Sequence, residues 1–153
     1  MIVPGGAAPT IRALSNDSLI AYVQHASKSA EVVGSVCTGA LILAAAGLLE
    51  GRNATTHWSF SKQLERLGAH YVPDRRWVED GMALHLIGRL AGEAVARQFQ
   101  LVLEYDPQPP LGGIDWSQID RNMLDPVVDQ WINEGLADQP DLLSRLLPES
   151  VRS

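Results

Sequence analysis

Apolar residues along the chain fall into short blocks that switch between the period of a strand and that of a helix. Ile2 and Val3, both β-branched, run into Pro4-Gly5-Gly6, the pattern of a strand ending in a tight turn. A helix is predicted over 18–26, capped by Ser15 or Asp17, with Leu19, Ile20, Tyr22 and Val23 on its buried face. Residues 31–36 form a short buried strand, followed by an Ala/Leu-rich helix over 38–49 that closes near Gly51. The β-branched run 52–57 predicts another strand, and Phe60, Leu64 and Leu67 mark a helix over 59–67 stopped by Gly68. Residues 69–72 and 76–79 form a strand pair broken at Pro73-Asp74, and 82–105 form a long helix. Strands alternating with helices predict an α/β fold, a doubly wound parallel sheet with helices on both faces.

Beyond Asp106-Pro107-Gln108-Pro109-Pro110 the chain becomes a loop and then a helical tail. Asp125-Pro126 reads as an N-cap with a first-turn proline, Val127, Val128, Trp131 and Ile132 share one face up to Gly135, and another helix covers 140–147. The expected division is an α/β domain over 1–110 and a C-terminal helical extension over 111–153 that packs on the domain or on a second subunit.

A chain of 153 residues, 46% hydrophobic and 20% charged, has the length and composition of one globular domain. Its net charge of −6 argues against the basic patch that binds nucleic acid. The apolar run 40–49 is half of what a membrane span needs, and residues 1–6 have no secretion signal, so neither a membrane nor an export role is expected. One cysteine excludes an internal disulfide and fits a cytoplasmic protein.

That cysteine, Cys37, falls where the strand over 31–36 meets the next helix. Parallel sheets bind ligands beyond the carboxyl ends of their strands, and a helix N-terminus offers unpaired N–H groups to an anionic sulfur. Gly34, Ser35, Gly39 and Ala40 are small enough for a sharp nucleophile elbow. Spacing alone leaves Cys37 equally open to being a buried small hydrophobe. Gly5-Gly6 is either an ordinary turn or an oxyanion donor, and His57 either a satisfied strand-end residue or a polar wall and proton carrier. Trp58 reads as core or pocket wall. His25, His70 and His85 lack metal-ligand spacing, so no metal is expected.

Three stretches carry a family resemblance: Val3-Pro4-Gly5-Gly6, Gly34-Ser35-Val36-Cys37-Thr38-Gly39-Ala40, and residues 47–58 ending in Ala54-Thr55-Thr56-His57-Trp58. They resemble the ThiJ/PfpI superfamily, with the class I glutamine-amidotransferase-like fold. Together with Gln100-Leu101-Val102-Leu103-Glu104-Tyr105-Asp106-Pro107, they look most like isocyanide hydratases. The resemblance implies a flavodoxin-like α/β sandwich, a homodimer and a small-molecule substrate, with no cofactor. The implied activity is that of a lyase: the Cys37 thiolate attacks the isocyanide carbon, water adds, and an N-substituted formamide leaves. Thr38 lies beside the nucleophile, the Gly5-Gly6 turn and the Thr38 backbone stabilise developing charge, and His57 and Trp58 line the site. Relatives that hydrolyse amides carry His where Thr38 stands.

Family members also carry a segment before the Pro-Gly-Gly turn, with a first strand and an acid that meets the cysteine, and a further strand at the position of Gly81-Met82. The chain therefore reads as shortened in both places, and the spacing of Asp17, Asp74 and Asp80 selects none of them as a substitute acid. The competing reading is a non-catalytic binding or regulatory module of the same fold.

Overall fold

A computed structural model of the chain describes residues 1–73, 92–95, 98 and 115–148. Strand β1 (Ile2–Val3) is followed by helices α1 (Ala8–Ala13) and α2 (Asp17–Ser27), strand β2 (Gly34–Ser35), helix α3 (Gly39–Ala45), strand β3 (Asn53–Ala54), a 3₁₀ turn (Trp58–Phe60), helix α4 (Ser61–Arg66) and strand β4 (His70–Tyr71). After a second 3₁₀ turn (Trp116–Gln118) come α5 (Asp125–Gly135) and α6 (Pro140–Leu146). β1 pairs in parallel with β2, and β3 with β4, with Ile2 opposite Gly34 and Asn53 opposite His70. The alternation is the α/β, flavodoxin-like order predicted above. Among the described residues the strands form two separate pairs. Val36 O, the next acceptor along β2, instead takes the Gly39 N–H of the turn before α3, so of the predicted strand over 31–36 only Gly34–Ser35 is paired.

Helix α3 is buried on every side: Gly39, Ala40, Leu41, Ile42, Leu43 and Ala44 are all in the core, as expected of a helix apolar all round. It ends earlier than the composition suggested. Gly47 adopts φ 74°, Leu48 N–H donates to Leu43 O at 3.0 Å and Gly47 N–H to Ala44 O at 2.8 Å. That pair of bonds is a Schellman stop, which places the helix end at Gly47 and leaves the predicted closure near Gly51 in the following turn. The same motif ends α4 at Gly68 (φ 95°), where Ala69 N–H reaches Leu64 O at 3.3 Å, as the sequence predicted.

Two caps differ from expectation. Asn16 caps α2, its Oδ1 accepting from Leu19 N–H at 3.0 Å, which leaves Asp17 inside the first turn and Ser15 bonded back to Arg12 O. At α5, Asp125 is the first helical residue, and the flanking Leu124 supplies no side-chain cap. On α2, Val23 is buried while Tyr22 is 65% exposed. At about 100° per residue, Tyr22 points away from the face that Leu19, Ile20 and Val23 share.

Helix α1, which the apolar pattern did not reveal, packs against α3 and α5 through Ile11 and Leu14. The C-terminal helices pack back on the chain: Val128, Ile132, Leu136, Leu146 and Leu147 join Ile11, Leu41, Phe60 and Leu64 in one apolar cluster. Each such side chain contributes about 1.5–3 kcal/mol relative to exposure. The expected boundary at 110–111, the second strand of the 69–79 pair and most of the predicted helix over 82–105 lie outside the described residues. Among the described residues, no helix is long and apolar enough to cross a membrane.

Candidate active site

The segment between β2 and α3 is a tight turn in which Gly39 N–H donates to Val36 O at 3.0 Å. Its first central residue is Cys37, at φ 55°, and its second is Thr38, at φ −69° and ψ −6°. A positive φ there is glycine's province, and a non-glycine residue costs about 1–3 kcal/mol to hold in it. The surrounding bonds hold it. Val36 N–H donates to Val3 O at 3.0 Å, fastening the approach to β1. Thr56 Oγ1 donates to Cys37 O at 3.1 Å, fastening the elbow to the segment after β3. Gly39 sits so close to β1 that an added Cβ would lie 2.3 Å from Val3 O. The cysteine held in this way is exposed, so it is not the buried small hydrophobe that spacing left open.

Thr38 points the other way and is 1% exposed. Its hydroxyl oxygen accepts from Gly6 N–H at 3.0 Å and Ala7 N–H at 3.1 Å, and lies 3.0 Å from Thr10 Oγ1. The Gly6 amide is therefore engaged by a side chain. The Thr38 N–H has no acceptor among the described residues, and an added Cβ on Gly5 would lie 2.7 Å from that nitrogen and 2.8 Å from Cys37 Cβ. Glycine at position 5 keeps this approach to the sulfur clear.

His57 follows Thr56, whose hydroxyl is tied to Cys37 O. Its Nδ1 accepts from Ser59 N–H at 3.4 Å and pairs with Ser59 Oγ at 2.8 Å, capping the 3₁₀ turn, so the ring proton is assigned to Nε2. The residue as a whole is exposed, yet this side of the ring is packed, and burial pushes its pKa below the ordinary 6.5. The ring stacks on Trp58 with centroids 5.6 Å apart and meets the edge of Phe60 at 6.4 Å. Phe60 stacks in turn on Trp131 of α5 at 6.2 Å. The structure thus gathers Gly5, Gly6, Cys37 and Thr38 at one elbow and fastens the Thr56–Trp58 segment to it. Asp17 lies in the first turn of α2, and Asp74 and Asp80 lie outside the described residues. Among the described residues, no three His, Cys, Asp or Glu side chains are gathered as a metal ion would need.

The sequence reading missed Thr10, Ala7 and Thr56. Pro9 beside Ile11 and Leu14 was the available signal for a helix that carries Thr10, since proline favours a first turn. Nothing in the sequence marked Ala7, which adopts φ 46° and ψ −112°.

The model of the DJ-1/PfpI family matches residues 1–92. The chain belongs to this family. Among DJ-1/PfpI relatives, the isonitrile hydratase of Pseudomonas putida is 40% identical over 121 residues, covering 71% of this chain and 52% of that protein. A deglycase of Thermococcus kodakarensis is 33% identical over 81 residues, covering 53% of this chain and 48% of that protein. The crystal structure of a ThiJ/PfpI family protein from Pseudomonas syringae superposes with a TM-score of 0.67 at 30% identity, over 95% of this chain and 64% of that one. The chain thus spans about half the length of the curated DJ-1/PfpI relatives it matches.

Proposed function

We propose that the chain is a cysteine-dependent hydratase of isocyanides (isonitriles), with Cys37 as nucleophile. The observation that carries this reading is the exposed Cys37 held at φ 55° beside an unengaged Thr38 N–H. Strain of this kind persists only where the surroundings over-determine it, and it clusters at active sites. The similarity to a relative named isonitrile hydratase supports the choice of substrate class.

In the proposed reaction the thiolate forms a bond to the terminal carbon of R–N≡C, and that carbon takes up a proton to give a thioimidate. Water adds to the same carbon and the C–S bond breaks. A proton is released, and R–NH–CHO leaves with the thiolate regenerated. The Thr38 N–H lies where it can stabilise charge that develops at the reacting group. Thr38 and the Gly5–Gly6 turn shape this position, and His57 and Trp58 form a wall of the site.

The test is formamide production from cyclohexyl isocyanide by the purified full chain and by Cys37→Ala, with iodoacetamide labelling of Cys37 in parallel. Turnover in the wild type and its loss in Cys37→Ala are expected. A wild-type chain that is labelled at Cys37 yet forms no formamide, or a Cys37→Ala variant of undiminished activity, sinks the proposal.

A further inference from the structure

We infer that Thr10 is a positioning residue for the Cys37 elbow, acting through the Thr38 hydroxyl and the loop of residues 5–7. This rests on Cys37 being the nucleophile proposed above. A hydroxyl has one proton to donate and two lone pairs to accept with. The amides of Gly6 and Ala7 occupy both lone pairs of Thr38 Oγ1, so the Thr38 proton is directed at Thr10 Oγ1, 3.0 Å away. Both hydroxyls are buried, at 4% and 1% exposure, so water does not substitute for either partner.

Thr10 is well placed to fix this rotor. It stands on α1, whose next residue, Ile11, is fully buried and packs against α5 at Gly135. The rotor in turn holds Ala7 at φ 46° and ψ −112°, a conformation that side-chain-bearing residues avoid, and keeps Gly5 against the Thr38 amide and Cys37 Cβ. Without the Thr10 oxygen, the Thr38 proton has no acceptor in a buried site. The hydroxyl then turns to find one and releases an amide it now holds. Ala7 relaxes, and Gly5 moves relative to the sulfur.

The test compares Thr10→Val and Thr10→Ser in the full chain by the rate of Cys37 alkylation with iodoacetamide, across the range in which cysteine thiols titrate. Thr10→Ser keeps the hydroxyl, so its pH–rate profile should superimpose on that of the wild type. Thr10→Val should alkylate about ten-fold to a hundred-fold differently at neutral pH, with a displaced profile, the scale on which small misplacements act at reactive groups. Should Thr10→Val not fold, Thr10→Ala removes the same acceptor without adding a methyl against Thr38 and takes its place. A valine or alanine profile identical to wild type, or a serine profile no better than valine, overturns the inference. The readout needs no isocyanide, so absence of hydration would count against the proposed function alone.

Discussion

Replacing Gly39 by alanine sets two known effects against each other inside one helix. Alanine is the better helix former by about 0.8–1 kcal/mol, so propensity alone predicts stabilisation. The added methyl, however, would lie 2.3 Å from Val3 O, 2.8 Å from Pro4 O and 2.9 Å from Pro4 C, all backbone atoms. Reaching van der Waals separation requires a shift of about 1 Å between α3 and β1. Neither side yields easily: α3 is buried on every side, and β1 is held in register with β2, with Val3 O accepting from Val36 N–H at 3.0 Å. Overpacking of this kind costs about 1–3 kcal/mol, and weakening the Val36–Val3 bond adds about 1 kcal/mol. After the propensity gain, a net loss of about 1–3 kcal/mol is expected. The assay is equilibrium urea unfolding at matched slope, with Gly135→Ala as the reference. There the new methyl is tight only against the Ile11 Cγ2 side-chain atom at 3.1 Å, with Arg12 N and Ile11 Cβ at an ordinary 3.7 Å, and the effects nearly cancel. A Gly39→Ala chain as stable as wild type would refute the idea that backbone approach at β1 dictates glycine beside the elbow.

Two further predictions concern pH. Burial lowers the His57 pKa from 6.5, so the unfolded chain protonates first as pH falls. Stability is therefore unaffected above that value and declines as pH drops from 6.5 through the folded pKa. His57→Asn keeps an acceptor for Ser59 N–H but does not titrate, and its urea midpoint should lack the wild-type decline over this window; equal slopes in the two chains would count against it. Burial first, and then the charge of Asp125, raise the Asp129 pKa from 3.8 against the opposing pull of Lys62 and Arg66. Stability is thus lost as pH rises from 3.8 through the folded value, so Asp129→Asn should be more stable than wild type at neutral pH and equal to it in acid; a difference that persists below pH 3.8 would exclude ionisation as its cause.

Much of this fold was legible because its signals are local. Gly68 stops α4 by the backbone geometry that only glycine adopts cheaply, and Pro126 and Pro140 mark helix starts by ring constraint. What escaped depends on partners far apart in sequence. Helix α1 has only six residues, too few for a periodic pattern, and is held by burial of Ile11 and Leu14. The stop of α3 at Gly47 was hidden because Leu48 and Leu49 continue the apolar run after the backbone has turned. At the site, the position of Cys37 followed from the strand-to-helix order, and its exposure resolved what spacing left open. The Thr10–Thr38 link joins positions 28 residues apart, which no local pattern encodes.

The residue after the nucleophile bears on which reaction suits this elbow. Thr38 accepts from two amides and is the side chain that closes the loop onto Thr10, so its hydroxyl cannot pass a proton to a substrate without opening that link. Amide hydrolysis needs a proton donor for the departing amine, because an amide anion is too basic to leave, and a histidine beside the cysteine serves that purpose. Isocyanide hydration makes no such demand. Its nitrogen stays in the product and the group that departs is the thiolate, a good leaving group without assistance. The proton that the carbon takes up stays as the formyl hydrogen, and the nitrogen gains one as the adding water gives up its two, transfers that solvent can carry at an exposed sulfur such as that of Cys37. A threonine committed to architecture is therefore a poor neighbour for an amidase nucleophile and an acceptable one for the hydratase proposed above.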